Sequence, residues 1–456
     1  MDAQSGGKSV VKTTIGYNDP SSTTATGQVK TWKSGATTYT YAYDARGNIT
    51  SVSDGQSTTT YAYDSFDQLV RENNQAAGKT WTYAYDDGGN IQSKTEYAYT
   101  TGTLGTAVRT VSYGYGDASW SDLLTSIGGQ SLTADEIGNL LSDGTWTYTW
   151  QHGRQLAGMS KSGQTITYGY DSDGKRITKT VNGTTYNYHY LGDQLVELTW
   201  GGNKLHFTYD STGPLSVNYN GTEYFYVKNA QGDVTGLVSA SGTRVVTYTY
   251  DAWGNPLTTT GTMADTLGKL NPFRYRGYVY DTETGLYYVS SRYYDPEIGR
   301  WINADNQLST GSDLTGLNLF AYCGNNPVNR IDPTGEAWWH WALGAAVVAV
   351  AAVATVVTCG GFAVAATAVC MVGSGVAAAT TASTVAAGAF IGSATVYGMA
   401  VLSAASTSSS VQEFNDQGNW GTVAATAFGG LTGGYDGYTM SKRQVPRQGE
   451  VRRIRK

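Results

Sequence analysis

Histidine and cysteine are the side chains best suited to ligate a metal or attack a bond, and here their spacing supports neither role. The four histidines, at positions 152, 189, 206 and 340, lie far apart, and Cys323, Cys359 and Cys370 form no Cys-x-x-Cys pair. A Cys/His zinc site is therefore not expected, and three cysteines cannot build a disulfide framework. The sequence implies no metal and no cofactor. Downstream of Glu336 there is no Gly-rich phosphate loop, no nuclease-like cluster and no Cys/His nucleophile arrangement. Carboxylates remain, and aspartate is set in a repeating frame. Six copies of Tyr-x-Tyr-Asp end at Asp44, Asp64, Asp86, Asp171, Asp251 and Asp281, and Tyr209-Asp210 keeps half of the pattern.

That frame says what must position any site. A glycine stands three residues after five of the aspartates, at Gly47, Gly89, Gly174, Gly213 and Gly254. The unit recurs about every twenty residues, with weaker copies at Gln151, Leu191 and Asn229, and a fixed period of that size marks one supersecondary unit stacked on its neighbours. In the copy from Thr37 to Gly55, Tyr39, Tyr41 and Tyr43 alternate along one face of a strand. Asp44-Ala-Arg-Gly47-Asn48 is a turn in which the aspartate can accept backbone N–H groups and Gly47 tolerates positive φ. Ile49 to Val52 runs back as a second strand. Each unit is a hairpin, marginal alone and stable between neighbours. Residues 30–335 should form one continuous antiparallel sheet, with Tyr41, Tyr63, Tyr85 and Tyr170 in neighbouring positions of a ladder and ring packing between them. The rival reading of the 35 tyrosines is an aromatic platform for sugars.

Composition agrees with an all-β scaffold: 58 glycines, 8 prolines and only 14% charged residues favour strands and turns over helix. Met1 to Val10 lack the charged start and apolar core of a signal peptide, so the expectation is export by another route or a fragment of a longer product. The chain divides into a repeat array at 1–260, with a less regular stretch from Tyr97 to Asp135 that reads as an insertion; a segment at 261–335 dense in Arg, Tyr, Asn, Pro and Gly; a hydrophobic segment at 336–412; and a polar, basic tail at 413–456.

The second segment carries a resemblance. Arg274-Tyr-Arg276-Gly-Tyr-Val-Tyr-Asp281-Thr-Glu-Thr-Gly285-Leu-Tyr-Tyr-Val-Ser-Ser-Arg292-Tyr-Tyr-Asp295-Pro-Glu-Ile-Gly299-Arg300-Trp301 resembles the core signature of the Rhs/YD-repeat family, and Asn318 to Gly335 continues it. The family includes bacterial Rhs polymorphic toxins, the C component of insecticidal toxin complexes, wall-associated proteins and animal teneurins. The resemblance implies a mostly β fold, an antiparallel sheet of YD-repeat hairpins spiralling into a hollow shell that the core segment closes at one end. In toxin members the sequence after Asp-Pro-x-Gly is a payload held inside.

The same resemblance implies chemistry. Toxin-type members are thought to cut themselves after Asp-Pro-x-Gly-Leu with one arginine and two aspartates, which fall here on Arg292, Asp305 and Asp332, with the cut between Glu336 and Ala337. Two carboxylates brought together can share a proton, one activating water and the other acting as acid, and Arg292 would stabilise the oxyanion. Asn306 stands where the family has proline, and Glu336 where it has leucine. The alternative is that Asp332-Pro-Thr-Gly335 is only a turn. Arg274, Arg276 and Arg300 read as partners for core carboxylates.

Residues 337–412 contain no Asp, Glu, Lys or Arg. Trp341 to Thr358 is long enough for a membrane helix, with Trp338, Trp339 and Trp341 suited to the headgroup layer. The expectation is an Ala/Gly-rich helical segment broken near Cys359-Gly361 that inserts in a membrane; the alternative is a hairpin sheltered in the shell. Residues 440–456 carry a local charge of +6 against −12 for the rest, which reads as a solvated tail, and nucleic acid is not an expected partner. Two function classes follow. One is a bacterial casing that encapsulates and presents a C-terminal toxin, the payload being absent here, with its own C-terminal segment and an immunity protein as partners. The other is a cell-surface interaction protein binding carbohydrate or a partner cell. Either would be secreted or at the cell surface, with membrane association through residues 338–406. Self-cleavage is the one enzymatic activity expected.

Overall fold

In a computed structural model of the chain, residues 2–5, 8–18, 28–306, 317–336, 339–340, 352–359 and 362–369 are described. The chain forms two compact units, residues 1–345 and 346–456. The first is almost wholly antiparallel β. Its strands follow sequence order, each pairing with the next, but in two sheets and not one: twelve strands within residues 2–131 and fourteen within 133–260. The break falls in the stretch expected to be an insertion, where the strands shrink to the residue pairs Ser126–Ile127, Gln130–Ser131 and Thr133–Ala134. So few residues cannot hold a ladder across the step. A smaller four-stranded sheet, Val279–Asp281, Leu286–Val289, Arg292–Asp295 and Arg300–Trp301, belongs to the core segment.

One turn repeats throughout. Asp44 Oδ1 accepts the N–H of Arg46 at 2.9 Å and of Asn48 at 2.8 Å. Asp64, Asp86, Asp171 and Asp251 do the same for the residues two and four positions on. The third residue after the aspartate is left-handed, with φ of +90° at Gly47 and +86° at Gly254, which is why glycine recurs there; in the Asp64 turn, Asp67 takes that conformation at +62°. Asn229 makes the turn with its amide oxygen. Asp135 makes it too, although no Tyr-x-Tyr precedes it; the sign was Asp-x-x-Gly-Asn, as in Asp44 to Asn48. Asp210 and Gly213 share the spacing but face each other across a two-residue hairpin loop.

The tyrosines join one hairpin to the one before. The hydroxyl of Tyr43 donates to Val29 O at 2.8 Å, Tyr63 to Ile49 O at 2.7 Å, and Tyr85 to Leu69 O at 2.6 Å. Tyr115, Tyr170, Tyr209 and Tyr250 repeat the bond to Ile91, Leu156, Leu195 and Val234. The row therefore consists of the second tyrosine of each motif. Tyr41, expected in it, is a first tyrosine and instead accepts the Ala230 N–H at 3.1 Å. Such contacts bring the two sheets together, as do Trp32 Nε1 to Lys228 O at 2.9 Å and Tyr39 to Thr235 at 2.8 Å. Tyr17 is the one exposed tyrosine among the described residues, so no tyrosine row is left for a sugar platform there. The expected ring packing is found chiefly in the core segment, where Tyr294 stacks on Tyr322 at 4.0 Å amid Tyr275, Tyr278, Tyr287 and Trp301.

Within residues 346–456, Ala352–Cys359 and Phe362–Val369 are paired strands where helices were expected. β-branched residues in the first of them, Val353, Thr355, Val356, Val357 and Thr358, favour extended backbone. Cys359 pairs with Phe362, so the break expected at Cys359-Gly361 is where the chain reverses. The rest of the helical expectation lies outside the described residues. Among the described residues no helix is long and apolar enough to cross a membrane.

Two predictions follow from this packing. Tyr63→Phe removes one hydroxyl and leaves the carbonyl of fully buried Ile49 without that partner, which should cost about 1 kcal/mol; an unchanged urea midpoint would contradict the lock. Glu72, 1% exposed, accepts the Ala252 N–H at 2.9 Å beside the Lys94–Asp251 pair. Burial and then Asp251 push its carboxyl up to about 8, against roughly 4.3 in the unfolded chain. Between those values the folded state keeps a proton that the unfolded state loses, so stability falls as pH rises from about 4 to about 8. Burial and then Glu297 push Asp295 up to about 7, which adds to the slope. Glu72→Gln should flatten the pH dependence of the melting temperature without abolishing it. An identical slope in the variant would show that Glu72 is ionised throughout.

Candidate active site

The core segment is seated on the repeat turns by asparagines. Asn325 Nδ2 donates to Gln68 Oε1 at 2.8 Å and to Gly89 O at 2.7 Å. Asn326 Nδ2 reaches Asn48 Oδ1 at 3.2 Å, Asn329 Oδ1 accepts the Ile49 N–H at 2.7 Å, and Asn318 Nδ2 meets Asn90 Oδ1 at 2.8 Å. Three successive turns, those of Asp44, Asp64 and Asp86, are thus each met by a buried side-chain amide. On the second sheet the anchor is ionic. Arg176, fully buried, bonds both carboxylate oxygens of Asp281, at 2.5 and 3.1 Å, and Lys179 adds contacts to Asp281 and Glu283. The two cations hold Asp281 below the usual carboxylate range against the upward push of its burial. Of the three arginines expected to pair with carboxylates, Arg276 does so, 3.5 Å from Asp233. Arg274 donates mainly to carbonyls, and Arg300 to Tyr115, the Asp122 carbonyl and Asn318.

Arg292, Asp305 and Asp332 come together. Arg292 opens a strand whose preceding loop is Ser290-Ser291, and its guanidinium lies 4.1 Å from the centre of the Trp301 ring. Its Nη2 is 2.8 Å from Asp305 Oδ2 and 3.4 Å from Asp332 Oδ2. Nε donates to Gly335 O, and Nη1 to Leu319 O at 3.2 Å. The Asp305 N–H meets that same Leu319 carbonyl at 2.9 Å. Burial pulls the Arg292 guanidinium below its ordinary value, and Asp305, Asp332 and Glu336 pull it back up. The group starts above 12 and so remains a cation.

Asp332 is fixed from both sides. Tyr278 Oη accepts its N–H at 3.0 Å and donates to its carbonyl at 2.7 Å. Asp332 Oδ1 takes the Gly335 N–H at 2.8 Å and the Thr334 N–H at 3.3 Å. Asp332 to Gly335 is therefore a turn, as one reading held, closed by the aspartate side chain, and the arginine meets it as the other reading held. The Asp332 side chain is 3% exposed and that of Asp305 13%, so Asp305 is the carboxylate that water reaches more easily. Glu336 is exposed and does not carry a buried charge into the site. Ala337 lies outside the described residues. Among the described residues no group of three or more His, Cys, Asp or Glu is placed to hold a metal ion. Sequence reasoning did not find Tyr278, Leu319 or Ser291, which act through a hydroxyl or the backbone and carry no spacing signal.

The Teneurin YD-shell family matches residues 52–328 of this chain. The tRNA3(Ser)-specific nuclease WapA of Bacillus spizizenii is 44% identical over 226 residues, 48% of this chain and 10% of its own length. The tRNA nuclease WapA of Bacillus subtilis is 41% identical over 226 residues, again 48% of this chain and 10% of its own length. This chain thus spans about a tenth of those curated relatives. Among solved structures, a crystal structure of TcdB2-TccC3-Cdc42 aligns with a TM-score of 0.53 at 20% identity, over 72% of this chain and 18% of that one. A structure of the Photorhabdus luminescens Tc holotoxin pore aligns at 0.51, also at 20% identity and over 72% and 18% of the two chains. At that identity the likeness is one of fold. The repeated aspartate turn, the tyrosine row and the family match over more than half of the sequence make this chain a member of the Teneurin YD-shell family, an Rhs/YD-repeat shell protein.

Proposed function

We propose that the chain is the shell and core of a toxin-type Rhs protein, a casing that encloses and presents the sequence following Gly335 and frees it by cutting its own backbone between Glu336 and Ala337. The observation that carries this reading is the meeting of Asp305 and Asp332 on one buried guanidinium whose Nε grips the Gly335 carbonyl. A casing needs closed walls and a releasable occupant. The two sheets with the core segment on their turns support the first, and the triad beside Gly335 supports the second. Relatives named as tRNA nucleases are consistent with a toxin payload, and an immunity protein against that payload is the partner the reading adds.

In the proposed reaction Asp305 takes a proton from water as the oxygen bonds to the Glu336 carbonyl carbon. Asp332, carrying the proton the pair shares, gives it to the Ala337 nitrogen as the C–N bond breaks. Arg292 faces the charge that develops on the carbonyl oxygen. The products are a carboxylate at Glu336 and an amine at Ala337.

Purified protein should show a new N-terminus at Ala337, while Asp305→Asn and Asp332→Asn should each yield only the intact 48.6 kDa chain. Removing either member of a working carboxylate pair costs several orders of magnitude in rate. Intact mass from the unmutated protein throughout the range from about pH 4 to about pH 8 would overturn self-cleavage.

A further inference from the structure

The loop before Arg292 lies against the peptide that leads to the proposed cut. Val289 pairs with Arg292, so Ser290 and Ser291 alone make the reversal, and Ser290 sits at φ +51°. Left-handed backbone at a residue other than glycine is strained, and such strain collects at ligand clamps and active sites. Ser291 spends both its donors on one atom: its N–H reaches Thr334 O at 3.3 Å and its Oγ at 2.8 Å. The next residue in each segment repeats the grip, Arg292 Nε on Gly335 O, while Asp332 Oδ1 holds the Gly335 N–H at 2.8 Å. Gly335 is needed for the approach. At φ +76°, a Cβ there would stand 2.4 Å from Val289 O and 2.8 Å from Ser291 Oγ.

Successive carbonyls, 334 and 335, are thus held by successive residues, 291 and 292, with the intervening amide held from the other side. That is how a peptide is aligned for attack, and alignment of the reacting bond is worth large factors in rate. Ser290, Ser291 and Thr334 are all exposed, so packing does not call for a hydroxyl at position 291. We propose that Ser291 is a positioning residue for self-cleavage, clamping the Thr334 carbonyl so that the Glu336–Ala337 bond meets Asp305 and Asp332 in register. The proposal rests on the self-cleavage reading and adds to it the loop that holds the peptide.

The test uses the full chain. Ser291→Ala should cleave about 5- to 10-fold more slowly, with an unchanged melting temperature. Ser291→Thr, which keeps the hydroxyl, should recover most of the rate, a rescue that a merely structural role for the loop would not give. In a cleavage-silent Asp305→Asn background, adding Ser291→Ala should speed amide exchange across residues 333–336 by about tenfold. Cleavage at the unmutated rate with unchanged exchange would overturn the clamp while leaving self-cleavage standing. An unmutated chain that never cleaves would overturn the self-cleavage reading and the positioning role with it, even if exchange showed the loop gripping the turn.

Discussion

A turn that is packed against protein instead of water has to satisfy its own backbone, and the rest of this structure follows from how that is done. Each aspartate accepts two N–H groups of its turn, the left-handed glycine lets the chain reverse, and the amide-bearing residue that follows is left with hydrogen-bonding capacity facing inward. Asn48, Gln68 and Asn90 are 2%, 4% and 3% exposed. Unpartnered, such groups would each cost about 1–3 kcal/mol. The core segment supplies the partners through Asn326, Asn325 and Asn318. Repeats and core therefore complete one another: the turns need the asparagines, and the asparagines, buried in an aromatic cluster, need the turns.

The same seating places the chemistry. Asn318 and Asn325 flank the short run that contains the Leu319 carbonyl, on which Arg292 and Asp305 both converge. Asn329 lies three residues before Asp332. The arginine's cost of burial is offset by two carboxylates, two carbonyls and the face of Trp301. A buried cation so fully engaged is expensive to break, and it ties together three pieces of chain that are far apart in sequence.

Much of this was legible beforehand, and the reason for each success or miss is physical. Period-two alternation and Asp-x-x-Gly spacing are local properties, so the hairpins, their turns and the irregular stretch at 97–135 could be read directly. The convergence of Arg292, Asp305 and Asp332 was reached through motif resemblance. The Asp135 turn was missed because the search was keyed to the tyrosines, which belong to the row between hairpins and not to the turn itself. Splitting of the sheet at Leu132 depends on how long the neighbouring strands are, a cooperative property that no single residue announces. The pairs Asn325–Gln68 and Arg176–Asp281 span 257 and 105 positions; nothing in local spacing encodes them. Ala352–Cys359 read as helix from its alanines and its length, whereas its β-branched residues take the extended form.

The central claim is that core and turns are energetically one unit, and a double-mutant cycle between Asn325 and Gln68 tests it most directly. Asn325→Ala, Gln68→Ala and the double variant are compared in the full chain by urea unfolding. The account predicts a coupling of about 1 kcal/mol, the second substitution costing little once the first has removed its partner. Effects that add to within about 0.3 kcal/mol would contradict it, and would mean that the core segment rests on the repeats without being held by their turns.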